Sequence, residues 1–213
     1  MAQPQRALVL VDVQNEYFGG PLEIQYPDRG ESLANITTII DAAQAQGLPV
    51  VVVQHEAPAG SPVFAEGSQG WDLHPDVAAR RRDSWKRIGK SYASIFAGTD
   101  FESWLRENGV DTITLAGYMT NNCDLATAAA AEPLGFTVEV LSDASGAIHL
   151  ANEAGQVSAR QMHEALMVLL QSNFAAVATT REWLEAVENG TALPQSDLGT
   201  SAMQGRAAFQ PVA

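Results

Sequence analysis

Cys123 is the only cysteine of the chain, and it falls between an apolar run, Thr112-Ile113-Thr114-Leu115-Ala116, and an alanine-rich segment starting at Asp124. The first reads as a buried strand and the second as a helix, with Gly117-Tyr118-Met119-Thr120-Asn121-Asn122 as the turn between them. A thiol at a helix start faces free N–H groups and the positive end of the helix dipole. Both favour the thiolate, which is the nucleophilic form. Out of context a lone cysteine is more often a small buried hydrophobe, so its neighbours decide. Asp12 closes the apolar run Ala7-Leu8-Val9-Leu10-Val11, and Lys90 stands at the end of a third strand region. An ammonium between a carboxylate and a thiol would hold both as anions and stabilise negative charge growing on a substrate. Singly, Asp12 reads equally well as a turn cap and Lys90 as a solvated surface charge. The chemistry exists only if the fold brings the three together.

Strands and helices alternate along the chain. After Ala7 to Val11, Leu33, Ile36, Ile40 and Ala43 recur at helical spacing until Gly47 supplies a stop. Pro49 to Gln54, with four consecutive valines, is a strand buried on both faces. Residues 55 to 83 are a long irregular stretch rich in Pro, Gly and Ser, the kind of loop that covers a pocket. A short strand near Trp85 to Ile88 follows, then a capping box of Thr99 and Glu102 opening a helix that runs to about Asn108. Beyond Thr112 to Ala116 and the Cys123 helix come a strand at Thr137 to Leu141 and a second capping box, Ser158 with Gln161. Met162, Leu166, Leu169 and Leu170 share the face of the helix it opens. Ala175 to Ala178 and a helix around Trp183 close the pattern. Six strands alternating with helices predict a three-layer α/β/α domain with a mainly parallel sheet.

In such sheets ligands bind beyond the carboxyl ends of the strands, where strand order reverses. Asp12 and Cys123 share that crevice if the first and fourth strands are neighbours. The turn Asp12-Val13-Gln14-Asn15-Glu16 lacks the glycines of a dinucleotide cradle, so a nucleotide-binding site is not expected.

The 213 residues suffice for one sizeable core, read as a single domain over 1–189 and a tail over 190–213. The tail is rich in Gly, Ala, Pro and Ser with little amphipathic pattern, and alone it would be disordered. Leu193, Met203, Phe209 and Val212 are the anchors by which it would dock, on a neighbouring subunit, so a homo-oligomer, dimer or tetramer, is expected. With 25 acidic against 12 basic side chains and a formal charge of -13, phosphate backbones and anionic membranes are repelled. The expected partner is a small-molecule substrate, with no nucleic acid and no membrane. One cysteine, and an N-terminal apolar run too short for a signal peptide, make the cytoplasm the expected compartment.

Three segments together carry a resemblance: Leu8-Val9-Leu10-Val11-Asp12-Val13-Gln14-Asn15, the Lys90-x-x-x-Ser94-x-Phe96-x-x-Thr99 stretch, and Gly117-x-x-Thr120-x-x-Cys123 followed by Asp143-Ala144. In this order and spacing the chain, over roughly residues 6 to 185, resembles the isochorismatase-like cysteine hydrolases. The resemblance implies a Rossmann-like α/β/α fold and a catalytic triad of Asp12, Lys90 and Cys123. It also implies a cis peptide between Tyr118 and Met119, with the Met119 and Cys123 N–H groups forming an oxyanion hole. Members that cleave isochorismate commonly lack the cysteine, so Cys123 points to the amidase branch. Nicotinamidase-like members carry an Asp and His metal pair after the second strand. Here Val53-Gln54-His55-Glu56-Ala57-Pro58 lacks that aspartate, and neither metal nor other cofactor is expected.

His55 and His74 could approach each other across the long loop, but two histidines without fixed spacing read as structural. His149 follows another strand end and is a candidate substrate contact; His163 falls on a packed helix. Phe18, Phe64, Trp71, Trp85 and Tyr118, read as loop residues near the crevice, are candidate pocket walls. The expectation is a cysteine-dependent hydrolase of a small amide or carbamoyl-type C–N bond, acting through a thioester. The alternatives are a non-catalytic small-molecule binding protein on the same fold and an isochorismatase-type ether hydrolase. A redox sensor is disfavoured, because no second cysteine exists to resolve an oxidised thiol.

Overall fold

The computed structural model describes residues 3–209. Its strands are β1 (Arg6–Val11), β2 (Val50–His55), β3 (Lys86–Lys90), β4 (Thr112–Tyr118), β5 (Thr137–Gly146), β6 (Leu150–Asn152), β7 (Gly155–Val157) and β8 (Ala176–Ala178). Its α-helices are α1 (Glu16–Gly19), α2 (Arg29–Ala45), α3 (Pro75–Ala78), α4 (Phe101–Glu107), α5 (Leu125–Ala131), α6 (Ala159–Leu169), α7 (Thr180–Asn189) and α8 (Leu198–Ala208). Six strands form one sheet in the order β3-β2-β1-β4-β5-β8, parallel at every pairing, while β6 and β7 make a small separate hairpin.

Side chains alternate across a strand, and β1 shows the consequence. Leu8 and Leu10 join Ile36, Ile39 and Ile40 of α2 and Trp183 of α7 in one apolar layer. Ala7, Val9 and Val11 join Phe101 and Leu105 of α4 and Ala128 and Ala131 of α5 in the other. A strand covered on both faces has no use for alternation, which is why the runs read as continuous apolar sequence. The chain builds outward from β1 to β3, then returns to place β4 on the other flank of β1. Strand order therefore reverses between β1 and β4. At that seam a Cβ on Gly117, whose φ is +128°, would lie 2.1 Å from the Val11 carbonyl oxygen. Only glycine lets the two strands approach so closely there.

A polar network crosses the core. Arg6 Nη2 lies 2.8 Å from Glu139 Oε1, both side chains nearly inaccessible. The Thr114 hydroxyl donates to Glu139 Oε2 at 2.7 Å and in turn accepts from the Trp183 indole N–H at 3.0 Å. This network ties β1, β4, β5 and α7 together.

Two local readings need correction. Thr99 does not cap α4 through a reciprocal box: its hydroxyl donates to the Ile95 carbonyl and accepts from Phe101 N–H, and Asp100 is the N-cap. The Ser158 and Gln161 capping box is present, but the packed face of α6 is marked by Ala159 and His163, while Leu169 remains 43% exposed. The tail is helical over α8, because Asp197 accepts bonds from both the N–H and the hydroxyl of Thr200 and so caps it. Leu193 is partly buried against the core, Met203 and Phe209 are exposed, and Val212 lies outside the described residues. Among the described residues no helix is long and apolar enough to cross a membrane.

Candidate active site

The strand order brings the three chemistry-bearing residues to one end of the sheet. Asp12 follows β1 in a left-handed backbone conformation (φ 48°), a region that aspartate tolerates better than most side chains. Its N–H donates to the Val53 carbonyl, and its own carbonyl accepts from Gln14 N–H. Cys123 lies in a wide helical turn, Thr120–Asp124, between β4 and α5. Lys90 ends β3, two strands or roughly 10 Å from β1, a gap that only a long side chain bridges.

Lys90 spans it. Its Nζ lies 2.7 Å from Asp12 Oδ2, 3.3 Å from Cys123 Sγ and 3.1 Å from His55 Nδ1. His55 arrives because the β2–β3 register sets it opposite Lys90. Asp12, Lys90 and Cys123 are 0%, 2% and 1% exposed, so the cluster is closed to solvent and its charges act in a low-dielectric setting. Burial alone would lower the Lys90 pKa, but Asp12 and Cys123 outweigh it and the ammonium is favoured. Burial, then the Lys90 charge, lowers His55. His55 is thus a neutral ring whose Nδ1 accepts from Lys90.

Cys123 departs from the sequence reading. Burial pushes its thiol well up and the Asp12 carboxylate adds to this, against the pull of Lys90. The thiol form of Cys123 is thus favoured, not the thiolate that its place near a helix start suggested.

The turn carrying Cys123 is held from several sides. The peptide between Tyr118 and Met119 is cis, and the Met119 carbonyl accepts from the N–H groups of Asn122 and Asp124. Thr120 Oγ1 and His163 Nδ1 are 2.9 Å apart, and His163 Nε2 lies 2.9 Å from the Ser142 carbonyl. A carbonyl can only accept, so Nε2 carries the proton and Nδ1 accepts from the Thr120 hydroxyl. Burial lowers the His163 pKa, consistent with a neutral structural ring. Sequence reasoning missed Gln14 altogether. Its side chain accepts from His55 N–H at 2.9 Å and donates to the His55 and Trp71 carbonyls at 3.0 and 2.7 Å. It fastens the end of β2 and the covering loop to the turn after β1. Set among the polar residues Asp12, Asn15 and Glu16, it carried no signal of its own.

The expected pocket aromatics separate. Phe64 packs on His55 and Tyr17, and Phe18 on Tyr118 and His74. Trp71 lies in the covering loop, where its carbonyl also accepts from Gln54. Tyr118 is the last residue of β4 rather than a loop residue; its ring is fully buried and its hydroxyl is engaged by Ser32 Oγ at 2.7 Å. Trp85 is misplaced by the sequence reading. It precedes β3 and packs in the core beside Pro49 and Val50, at the opposite end of the sheet from Lys90. The exposed His149 ring accepts from Ala159 N–H at 2.7 Å through Nδ1, at the start of α6. Tyr17, buried between Phe64 and Tyr118, is the aromatic that sequence reasoning missed.

Asp12, His55 and Cys123 offer three ligand atoms within 4.8 Å of one another, a grouping that could in principle hold a metal ion. The residues present do not fit one, because the Lys90 ammonium already lies against all three. His74 is not in that group; its Nδ1 accepts from Asp76 N–H and caps α3.

A parallel α/β/α sheet with a cysteine, a lysine and an aspartate closed together at its switch point defines the isochorismatase-like hydrolase architecture. The chain belongs to the isochorismatase family, whose Isochorismatase domain matches residues 6–182. It is similar to a candidate isochorismatase of known structure from Burkholderia xenovorans LB400, with 50% identity and a TM-score of 0.94 over 97% of this chain and 99% of that one. It is also similar to the uncharacterized isochorismatase family protein YddQ of Bacillus subtilis, with 29% identity over 84% of this chain and 98% of that protein. The nicotinamidase of Escherichia coli is 27% identical over 69% of this chain and 85% of its own length.

Proposed function

We propose that the protein hydrolyses a small amide or carbamoyl-type C–N bond through a thioester on Cys123. The observation that carries this reading is the enclosed cluster in which one ammonium lies 2.7 Å from Asp12 Oδ2 and 3.3 Å from Cys123 Sγ. Asp12 takes the thiol proton as Sγ attacks the carbonyl carbon, and the Met119 and Cys123 N–H groups receive the charge that develops on the oxygen. The proton on Asp12 passes to the leaving nitrogen, the C–N bond breaks, and the amine departs. Asp12 then deprotonates a water that attacks the thioester. The expelled sulfur takes that proton back, and the acid is released. Lys90 stays paired with Asp12 through each transfer, and neutral His55 keeps Lys90 in place. Similarity to a nicotinamidase supports an amide as the bond cleaved.

The same reading takes the working form to be a homo-oligomer. α8 buries none of its side chains, and Leu198 and Met203 on it are 63% and 69% exposed. Turnover across a panel of amides, ureas and carbamoyl amino acids tests the activity. With a slow substrate, mass spectrometry of quenched protein should show an acyl adduct on Cys123. Cys123→Ala should abolish turnover and leave the fold intact. Full activity in that variant would overturn the mechanism.

A further inference from the structure

Beside the nucleophile lies a polar pair that the mechanism leaves unused. Asp124 is completely buried, and neither of its carboxyl oxygens receives an N–H donor. Ser145 is equally buried; its hydroxyl lies within reach of the Asp124 carboxyl and has no other partner. The β4–β5 pairing explains how Ser145 gets there. From Leu115 opposite Val140 to Gly117 opposite Ser145, β5 uses three more residues than β4, and the bulge returns Ser145 to the strand just before the Cys123 turn. Bulges that re-aim a side chain concentrate beside active sites. Asp124 and Ser145 are close enough to influence each other, and Asp12 and Lys90 are the charged groups that act on Asp124. The pair therefore lies within the field of the cluster. Cys123 is itself only 1% exposed, so burial does not set Asp124 apart from the residue that must meet substrate.

Buried acceptors without donors are costly and call for a ligand or an ordered water. Held neutral by burial, Asp124 carries one O–H that Ser145 Oγ can receive, and its carbonyl oxygen is left as an acceptor without an N–H donor. A simple amide has one N–H₂ group, the leaving group that Asp12 protonates in the proposed reaction, and so nothing to offer a second acceptor site. A ureido compound carries a second nitrogen on the same carbonyl. We infer that Asp124 and Ser145 form a hydrogen-bonding subsite that accepts N–H bonds from a ureido substrate and selects it over the matching simple amide. This rests on the proposed reading only in placing the substrate carbonyl at Cys123.

Binding to Cys123→Ala protein tests it without turnover. Calorimetry would compare N-carbamoylglycine with N-acetylglycine, a pair differing by the terminal N–H₂ against a methyl group. The carbamoyl probe should bind more tightly. Adding Asp124→Val, an apolar side chain of similar volume for a buried position, should weaken it at least tenfold and leave the acetyl probe within twofold. Ser145→Ala, the milder change, should act in the same direction if Asp124→Val fails to fold. Equal effects on both probes, or no preference for the carbamoyl probe, would overturn the subsite and make the pair a structural one. Selective binding without any hydrolysis by the unmodified protein would keep the subsite and reject the catalytic reading.

Discussion

Asp124 makes a prediction about stability that needs no substrate. An aspartate in an unfolded chain titrates near 3.9; in the fold, burial first and the Asp12 carboxylate second push Asp124 up to about 8, against opposing contributions from Ser145 and Lys90. The native state thus keeps a proton that the unfolded chain releases. Its contribution to stability is complete below pH 3.9 or so and is lost progressively as the pH rises toward 8. Each pH unit in that window costs about 1.4 kcal/mol, or about 3 kcal/mol between pH 5 and pH 7. Asp124→Asn removes the titration and nearly preserves the shape. All other groups titrate in both proteins, so the difference between the two isolates Asp124. Tyr17 and Tyr118, which also feel its charge, are themselves held neutral throughout, burial raising the pKa of each. Urea unfolding followed by tryptophan fluorescence at pH 5, 6, 7 and 8 would measure it. The variant should gain about 3 kcal/mol on the wild type from pH 5 to pH 7, and the gain should level off above pH 8. A difference that stays constant from pH 5 to pH 8 would mean that Asp124 is ionised throughout, and would refute the reasoning.

Catalysis should survive dialysis against a chelator, since the Lys90 ammonium lies where a metal would have to bind Asp12, His55 and Cys123; a loss of rate restored by zinc would overturn this. Glu139→Ala leaves Arg6 charged, buried and unpaired, and should cost about 3–5 kcal/mol in chemical denaturation, whereas a cost below about 1 kcal/mol would show that water reaches the site. Truncation after Asn189 removes α8 and should lower the number of subunits obtained by light scattering; an unchanged number would refute assembly through the tail.

What was legible in the sequence follows from periodicity. Strands buried on both faces announce themselves as apolar runs, so β1, β2 and β4 could be read directly, and with them the strand ends that carry Asp12 and Cys123. Lys90 was legible because the alternation of elements put it at a third strand end. Gln14, His55 and His163 were not, since each acts through hydrogen bonds that cross the fold at no fixed spacing in the chain. Trp85 shows the opposite failure. It reads as the start of the third strand and also as a loop residue near the crevice. The start of a parallel strand, however, lies at the end of the sheet away from the crevice, and it is there, just before β3, that Trp85 sits. Arg6 and Glu139 were invisible for a related reason: they lie 133 residues apart, and nothing local marks two strand charges as partners.

The state of Cys123 is the case where a correct local argument gave the wrong result. A helix start favours an anion by about 0.3–1 kcal/mol, which is less than one pH unit. Enclosure of the thiol and the nearby Asp12 carboxylate act the other way and prevail. The balance of charge shows why. With Asp12 ionised, Lys90 protonated and Cys123 a thiol, the enclosed cluster is neutral; ionising the thiol as well would leave one uncompensated negative charge out of water, a costly arrangement. In the proposed reaction the thiol proton therefore cannot be lost beforehand to solvent. It must move to Asp12 as the carbon–sulfur bond forms, while the charge it leaves behind passes to the substrate oxygen. Asp12 is then required by proton accounting as well as by proximity, and Lys90 serves chiefly to hold that carboxylate beside the sulfur.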